Sequence, residues 1–326
     1  VKTVLITLLA ILLGACSYQS SGSESNSEKN KIFYLNSYHP GYKSSDDILK
    51  GFERGMEGQT VDTEVLYMNT KKLDSLAIVE KAQQALRLIE RFQPDIIVVS
   101  DDNAVKYVVE PFLKDGPYPV IFTGVNWSCQ QYGLPTEHVT GILEILPVEA
   151  TLDTLRNYFP DIKTVAVLSE ESTSEQKNID VITPILEEKG FEVEYELVDN
   201  YAAWKETFIG LNQTADAIFI PTNGAVKNWP DTSAELFVQN HIQVPVFTCD
   251  DFMMRYAVFG LTKRPEEMGE WAATKALEVL RGTSVSDIQV SQNSSFQAWI
   301  NYSLADRIGF IPSQPLKQEL HNAEEI

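Results

Sequence analysis

Short apolar runs alternate along most of this chain with stretches whose apolar side chains recur every three or four positions. Continuous runs rich in Val, Ile and Phe are characteristic of strands buried on both faces, and the recurring stripe marks a helix with one buried side. The pattern predicts strands over 31–37, 63–68, 95–100, 119–123 and 139–145, with helices over 46–56, 76–92 and 102–113. It then restarts with a helix over 148–158 and strands over 164–168, 191–197, 217–220, 244–248 and 257–261. Helices over 174–189, 204–211 and 232–240 lie between these strands. A long helix over 264–280 follows, with Pro265 in its first turn, where proline is tolerated. One or two late strands fall within 286–302. Alternation of this kind indicates parallel sheets with helices on both faces. Two rounds of it predict an α/β chain with two doubly wound parallel-sheet lobes.

The N-terminal region departs from this pattern. Lys2 precedes an uncharged apolar run over 4–13, and Leu13-Gly14-Ala15-Cys16 follows. A charged start, a short apolar core and small residues before a cut site describe a signal peptide over 1–15. The run is too short to span a bilayer, which takes roughly 20 residues. The Leu-Gly-Ala-Cys ending resembles the lipobox of bacterial lipoproteins, which implies that Cys16 carries acyl chains such as palmitate as the membrane anchor. Residues 16–30 are rich in Ser and poor in apolar side chains, the composition of a flexible tether. The body beyond is too long for one simple core and suits two lobes.

Of the 326 residues, 26 are basic and 46 acidic, a net charge of -20. Nucleic acid and anionic lipid surfaces are therefore poor partners. Besides Cys16 the chain has Cys129 and Cys249, and an export route permits a disulfide between them. No metal-type spacing occurs, and the four histidines form no cluster.

In doubly wound sheets ligands sit beyond the carboxyl ends of the strands, so the residues after each apolar run are the candidate chemistry. They are Ser37, Tyr38, His39 and Tyr42; Asp101, Asp102 and Asn103; Gly124, Asn126 and Trp127; Ser169 and Glu170; Thr222 and Asn223; Asp250 and Asp251. Carboxylates, amides, hydroxyls and aromatic rings dominate, and no Arg occurs among them. Such a set suits a small zwitterionic or aromatic molecule, with carboxylates for an amine and rings for stacking. The same residue types also serve as ordinary helix caps and turn formers. The sequence lacks the G-x-S-x-G, H-E-x-x-H, P-loop and G-x-G-x-x-G motifs, so no catalytic residue, metal or cofactor is expected. The acidic pairs 101/102 and 250/251 leave a hydrolase as a remote alternative.

The stretches 34–56, 98–109, 119–127, 218–226, 244–252 and 257–282, in that order and spacing, resemble a known family. They are similar to the solute-binding lipoproteins of ABC transporters with the type I periplasmic-binding-protein fold, in the tryptophan/tyrosine-type group. The resemblance implies a first lobe of 31–143 plus 262–283 and a second of 144–261 plus 284–326, joined by a three-crossover hinge. It also implies an exported protein that closes its lobes around a ligand for an ABC permease. The Ser-Tyr-His-Pro-Gly-Tyr loop and Trp127 depart toward a branch associated with signalling. In that alternative, a membrane histidine kinase or similar sensor reads the closed form.

Overall fold

The computed structural model describes residues 29–311 and 321–323. The expected signal peptide, the Cys16 anchor and nearly all of the tether lie outside the described residues. The chain begins with β1 (Asn30–Asn36), α1 (Lys43–Gly55), β2 (Val61–Tyr67), α2 (Ser75–Phe92), β3 (Ile96–Ser100) and α3 (Asp101–Ala104). The short α3 runs on as a wider, π-type helix over Val105–Leu113, with Pro111 inside it. β4 (Val120–Asn126) and β5 (Val139–Glu144) complete this half. The second half comprises α4 (Val148–Tyr158), β6 (Thr164–Glu170), α5 (Thr173–Glu188), β7 (Glu192–Val198), α6 (Tyr201–Thr214) and β8 (Ala217–Phe219). It continues with α7 (Asp231–His241), β9 (Val246–Thr248) and β10 (Phe259–Lys263). The tail holds α8 (Pro265–Leu280), β11 (Ser291–Gln292), β12 (Phe296–Ile300), α9 (Tyr302–Arg307) and β13 (His321–Asn322).

The strands form two sheets, ordered β2-β1-β3-β4-β5-β11 and β7-β6-β8-β9-β10-β12-β13. All ladders are parallel except that between β10 and β12. Both sheets reverse their winding after the first strand, between β1 and β3 and between β6 and β8. These are the topological switch points at which doubly wound sheets hold ligands.

Strand alternation explains the layers. In the first lobe Phe33, Leu35, Ile97, Val99 and Phe122 face α2 and the π-type helix. Ile32, Tyr34, Val98 and Ile121 face α1 and α8. In the second lobe Val165, Val167 and Phe219 pack with α4 and α5, whereas Ala166, Leu168 and Ile218 pack with α6 and α7. The α1/α8 contact is close because Gly51 and Gly269 lack side chains. A Cβ at Gly269 would collide with the Ile48 carbonyl, and one at Gly51 with that of Glu266.

The chain crosses between lobes after Glu144, after Lys263 and after Gln292. Three boundaries differ from the expected ones. Glu144 ends β5 of the first sheet, where it pairs with Asn126, and does not open the second lobe. Thr262 and Lys263 lie in β10 of the second sheet rather than with the first lobe. Residues assigned above to the second lobe from 284 onward stay with the first through β11, where Ser291 pairs with Ile142 and Gln292 with Leu143. Thr140 Oγ1 donates to the Ile288 carbonyl at 2.7 Å, fastening the same segment. A two-residue Ser-Gln strand has no apolar run, so periodicity carries no sign of its sheet. Cys129 and Cys249 are both buried and unpaired. Among the described residues no helix is long and apolar enough to cross a membrane.

Candidate functional site

The carboxyl ends of the two sheets face each other across a cleft of about 1920 Å³. On the first lobe, the end of β1 and the start of α3 are tied together by Ser37. Its Oγ donates to the Ser100 carbonyl at 2.5 Å and accepts from the Ala104 N–H at 2.7 Å. The chain turns sharply here: Asn69, Asp101 and Trp127, each just past a strand, hold left-handed backbone with φ of 59°, 71° and 59°. Non-glycine residues in that region cost energy and cluster at functional sites. Gly124, at φ 65°, leaves room for the Asp101 carboxylate, whose Oδ1 lies 3.2 Å from where a Cβ would sit.

Lysines bridge the cleft. Lys71, in the loop after β2, pairs with Glu170 at the end of β6. Lys177 on α5 donates to Asp102 Oδ1 and to the Ser128 carbonyl, both at 2.8 Å. Lys263 at the end of β10 meets Glu144 of β5 at 2.5 Å and Asp250 at 3.0 Å. At the rim, Lys43 reaches Asp251 at 3.0 Å. Neutral bonds span the gap as well: Tyr42 Oη with Thr222 Oγ1 at 3.1 Å, and Trp127 Nε1 to Asn178 Oδ1 at 2.8 Å. Tyr38, Tyr42 and Phe252 make a chain of edge-to-face rings, with centroids 4.9 and 5.9 Å apart.

Burial and like charge set the electrostatics. Asp101 is raised to about 8 by desolvation and by Glu144, with the Ser100 hydroxyl at 2.8 Å and the Lys263 charge opposing the shift. Glu175 is pushed to about 7 by burial and by Glu170. Burial works to lower Lys263, but Asp250 and Glu144 outweigh it and hold it above the usual lysine range. His39, at the rim, falls to about 4 through burial and the nearby Lys72 and Lys71. The Asn103 and Asn126 amides are oriented by their partners. Thr70 Oγ1 gives its hydrogen to the Ser37 carbonyl, so it accepts from Asn103 Nδ2, while Asn126 Nδ2 donates to Asp102. Their Oδ1 atoms, like Glu144 Oε2, are buried acceptors without a donor among the described residues. A ligand able to donate hydrogen bonds is what such oxygens lack.

The sequence-named residues divide by where they sit. His39, Tyr42, Asn103, Asn223 and Asp251 line the cleft. Tyr38, Asp101, Asp250, Glu170 and Thr222 are buried behind that surface. Ser37, Asp102 and Ser169 are spent on internal partners; Asp102 accepts from Asn126, Tyr132 and Lys177, and Ser169 donates to Glu175 at 2.6 Å. Trp127 does not face the main cleft. It lines a separate groove of about 630 Å³ beside β5 and links the lobes there. Lys71, Lys177, Lys263, Glu144, Glu175 and Asn178 were not among the candidates. Lys71 and Lys263 do follow strands, after the 63–68 run and at the end of the 257–261 region, so reading those two loops with the others finds them. Lys177 and Asn178 lie a turn or more inside α5 and carry no such signal. Among the described residues no three His, Cys, Asp or Glu converge on a metal position.

Two doubly wound lobes joined by three crossings, with strand ends facing one cleft, are the fold of type I periplasmic binding proteins. A family model for ABC transporter substrate binding proteins matches residues 39–319, and the chain belongs to that family, whose members are extracytoplasmic solute-binding proteins. It is 23% identical to the tyrosine-binding protein of Clostridioides difficile strain R20291, over 92% of this chain and 90% of that one. Among solved structures it is similar to the ABC domain from Streptococcus pneumonia in complex with L-Trp. That likeness has a TM-score of 0.73 at 18% identity, over 90% of this chain and 99% of the other. It is also similar to the ligand-free, open structure of a substrate binding protein with adhesive properties from Clostridium difficile. There the TM-score is 0.67 at 17% identity, over 90% and 98%.

Proposed function

We propose that this protein captures an aromatic amino acid, or a closely related amine-bearing aromatic solute, in the interlobe cleft and delivers it to an ABC permease. The observation that carries the reading is the convergence of edge-to-face tyrosines and unpartnered amide oxygens of the first lobe with buried carboxylates from both lobes. Rings of this kind contact an indole or phenol face, and the acceptors take the hydrogens of its ammonium group. The tyrosine-binding relative and the L-Trp complex of a structural neighbour support the same class. Closure of the lobes excludes water and strengthens each polar contact. Asp102, Asp250 and Asp251 each pair with a lysine, an arrangement that suits a binding cleft. Acylation at Cys16 would hold the protein at the membrane near its permease.

Titration calorimetry of the full chain against L-tryptophan, L-tyrosine, aliphatic amino acids, sugars and oxyanions tests the reading. Saturable binding of the aromatic amino acids, with a negative heat-capacity change from burial of the ring, is expected. Binding only to sugars or oxyanions would overturn it.

A further inference from the structure

Lys71 extends across the cleft from the first lobe to Glu170 on the second. Its Nζ lies 4.8 Å from the ring centroids of both Tyr38 and Tyr42, which meet edge to face. The lysine side chain is 2% exposed and that of Glu170 0%. Two aromatic rings and a carboxylate around a desolvated cation make a box that recognises an ammonium group as such, by cation–π attraction and a charge-assisted hydrogen bond.

The surrounding chain is shaped to this box. The N–H groups of Asn69 and Thr70 donate to the carbonyls of Tyr38 and Ser37 at 2.9 and 3.0 Å, fastening the lysine's loop beside the first tyrosine. Gly224 has no side chain where a Cβ would collide with the Tyr42 ring and lie 3.2 Å from Lys71 Cδ. The other oxygen of Glu170 accepts from the Ala225 N–H at 2.5 Å, so the second lobe holds the carboxylate independently of its cation. Tyr42 and Lys71 also line the cleft, so the box lies directly behind its wall.

We propose that Tyr38, Tyr42 and Glu170 form the subsite for a primary ammonium group of the ligand, and that Lys71 is its resident occupant, which the ligand amine displaces. This rests on the interlobe cleft being the ligand site. A tethered ammonium competes at an effective concentration of millimolar or above. A plain alkylamine therefore fails to enter, whereas an amine carrying an aromatic ring gains contacts enough to expel the lysine. Lys71 thus acts as a specificity threshold, and the Lys71–Glu170 pair also joins the lobes.

Lys71→Ala, made in the full chain, opens the box to a free probe, n-butylammonium. At one hundred times its dissociation constant the probe is expected to raise the Tm of the variant by about 4 °C. The wild type and the Lys71→Ala/Glu170→Gln double variant should show no rise. If Lys71→Ala is unfolded alone, recovery of far-UV circular dichroism on adding n-butylammonium supports the proposal, and its failure to recover overturns it. No rise in a folded variant, an equal rise in the wild type, or a rise that persists in the double variant each overturns it. Titrating wild type with L-tyrosine separates the two readings. A variant that takes n-butylammonium while the wild type binds no aromatic amino acid keeps the amine box and discards the aromatic ligand.

Discussion

Replacing Lys263 by Met removes the cation that pairs with both Glu144 and Asp250, themselves buried. The thioether fills most of the lysine stem, so the packing loss is small and the change is mainly electrostatic. Breaking a buried pair from one side leaves an uncompensated charge and costs about 3–5 kcal/mol. With an unfolding entropy of about 2.1 cal/mol/K per residue, a chain of this length loses about 4–7 °C of Tm. Both carboxylates are already raised by burial, with Lys263 as the opposing influence; without it they rise further. A carboxyl with a folded pKa above its unfolded value binds more protons when folded. Stability then falls as pH rises from near 4 toward the folded pKa. The Lys263→Met deficit should therefore be largest above neutrality and shrink on going from pH 7 to pH 5. Adding Glu144→Gln and Asp250→Asn should recover most of it, because no buried charge is left. Thermal denaturation by circular dichroism at several pH values measures all three quantities. A Lys263→Met variant within about 1 kcal/mol of wild type at pH 7, or a deficit that grows on acidification, would refute the reasoning.

The wild type has its own pH signature. Asp101 at about 8 and Glu175 at about 7 both sit above their unfolded values, so stability declines from near pH 4 and levels off above pH 8. Asp101→Asn keeps an acceptor for the Ser100 hydroxyl and tolerates the left-handed backbone. It should gain a few degrees of Tm over wild type at pH 9 and lose that advantage toward pH 5; parallel Tm curves would count against a buried, protonated Asp101. Trp127→Phe deletes the 2.8 Å interlobe bond to Asn178, worth about 1 kcal/mol. Spin labels at the exposed Leu76 and Leu236 should report a roughly fivefold shift toward longer interlobe distances, and an unchanged distance distribution would show that Trp127 has no part in closure.

Much of the fold was legible because it depends on short-range regularities. Runs such as Ile96–Ser100, buried at every position, announce parallel strands, and the stripe over Ser75–Phe92 announces its helix. The restart near residue 148 divides the chain into two lobes. The rule that ligands lie beyond strand ends led to Tyr38, Tyr42, Asp101, Glu170 and Asp250, which the fold gathers around one cleft. What those side chains do there was not legible. Nothing local in Asp102 distinguishes a ligand group from one fully committed to Asn126, Tyr132 and Lys177. Nothing local shows that Trp127, lifted into left-handed backbone, turns toward Asn178 and away from the cleft. The pairings of Lys71 with Glu170 and Lys263 with Glu144 span 99 and 119 residues. Hydrophobic periodicity is written along the chain because each element must bury its own face. Charge compensation in a buried cleft is settled between elements, so only the tertiary structure decided which lysine neutralises which carboxylate, and where the third crossing falls.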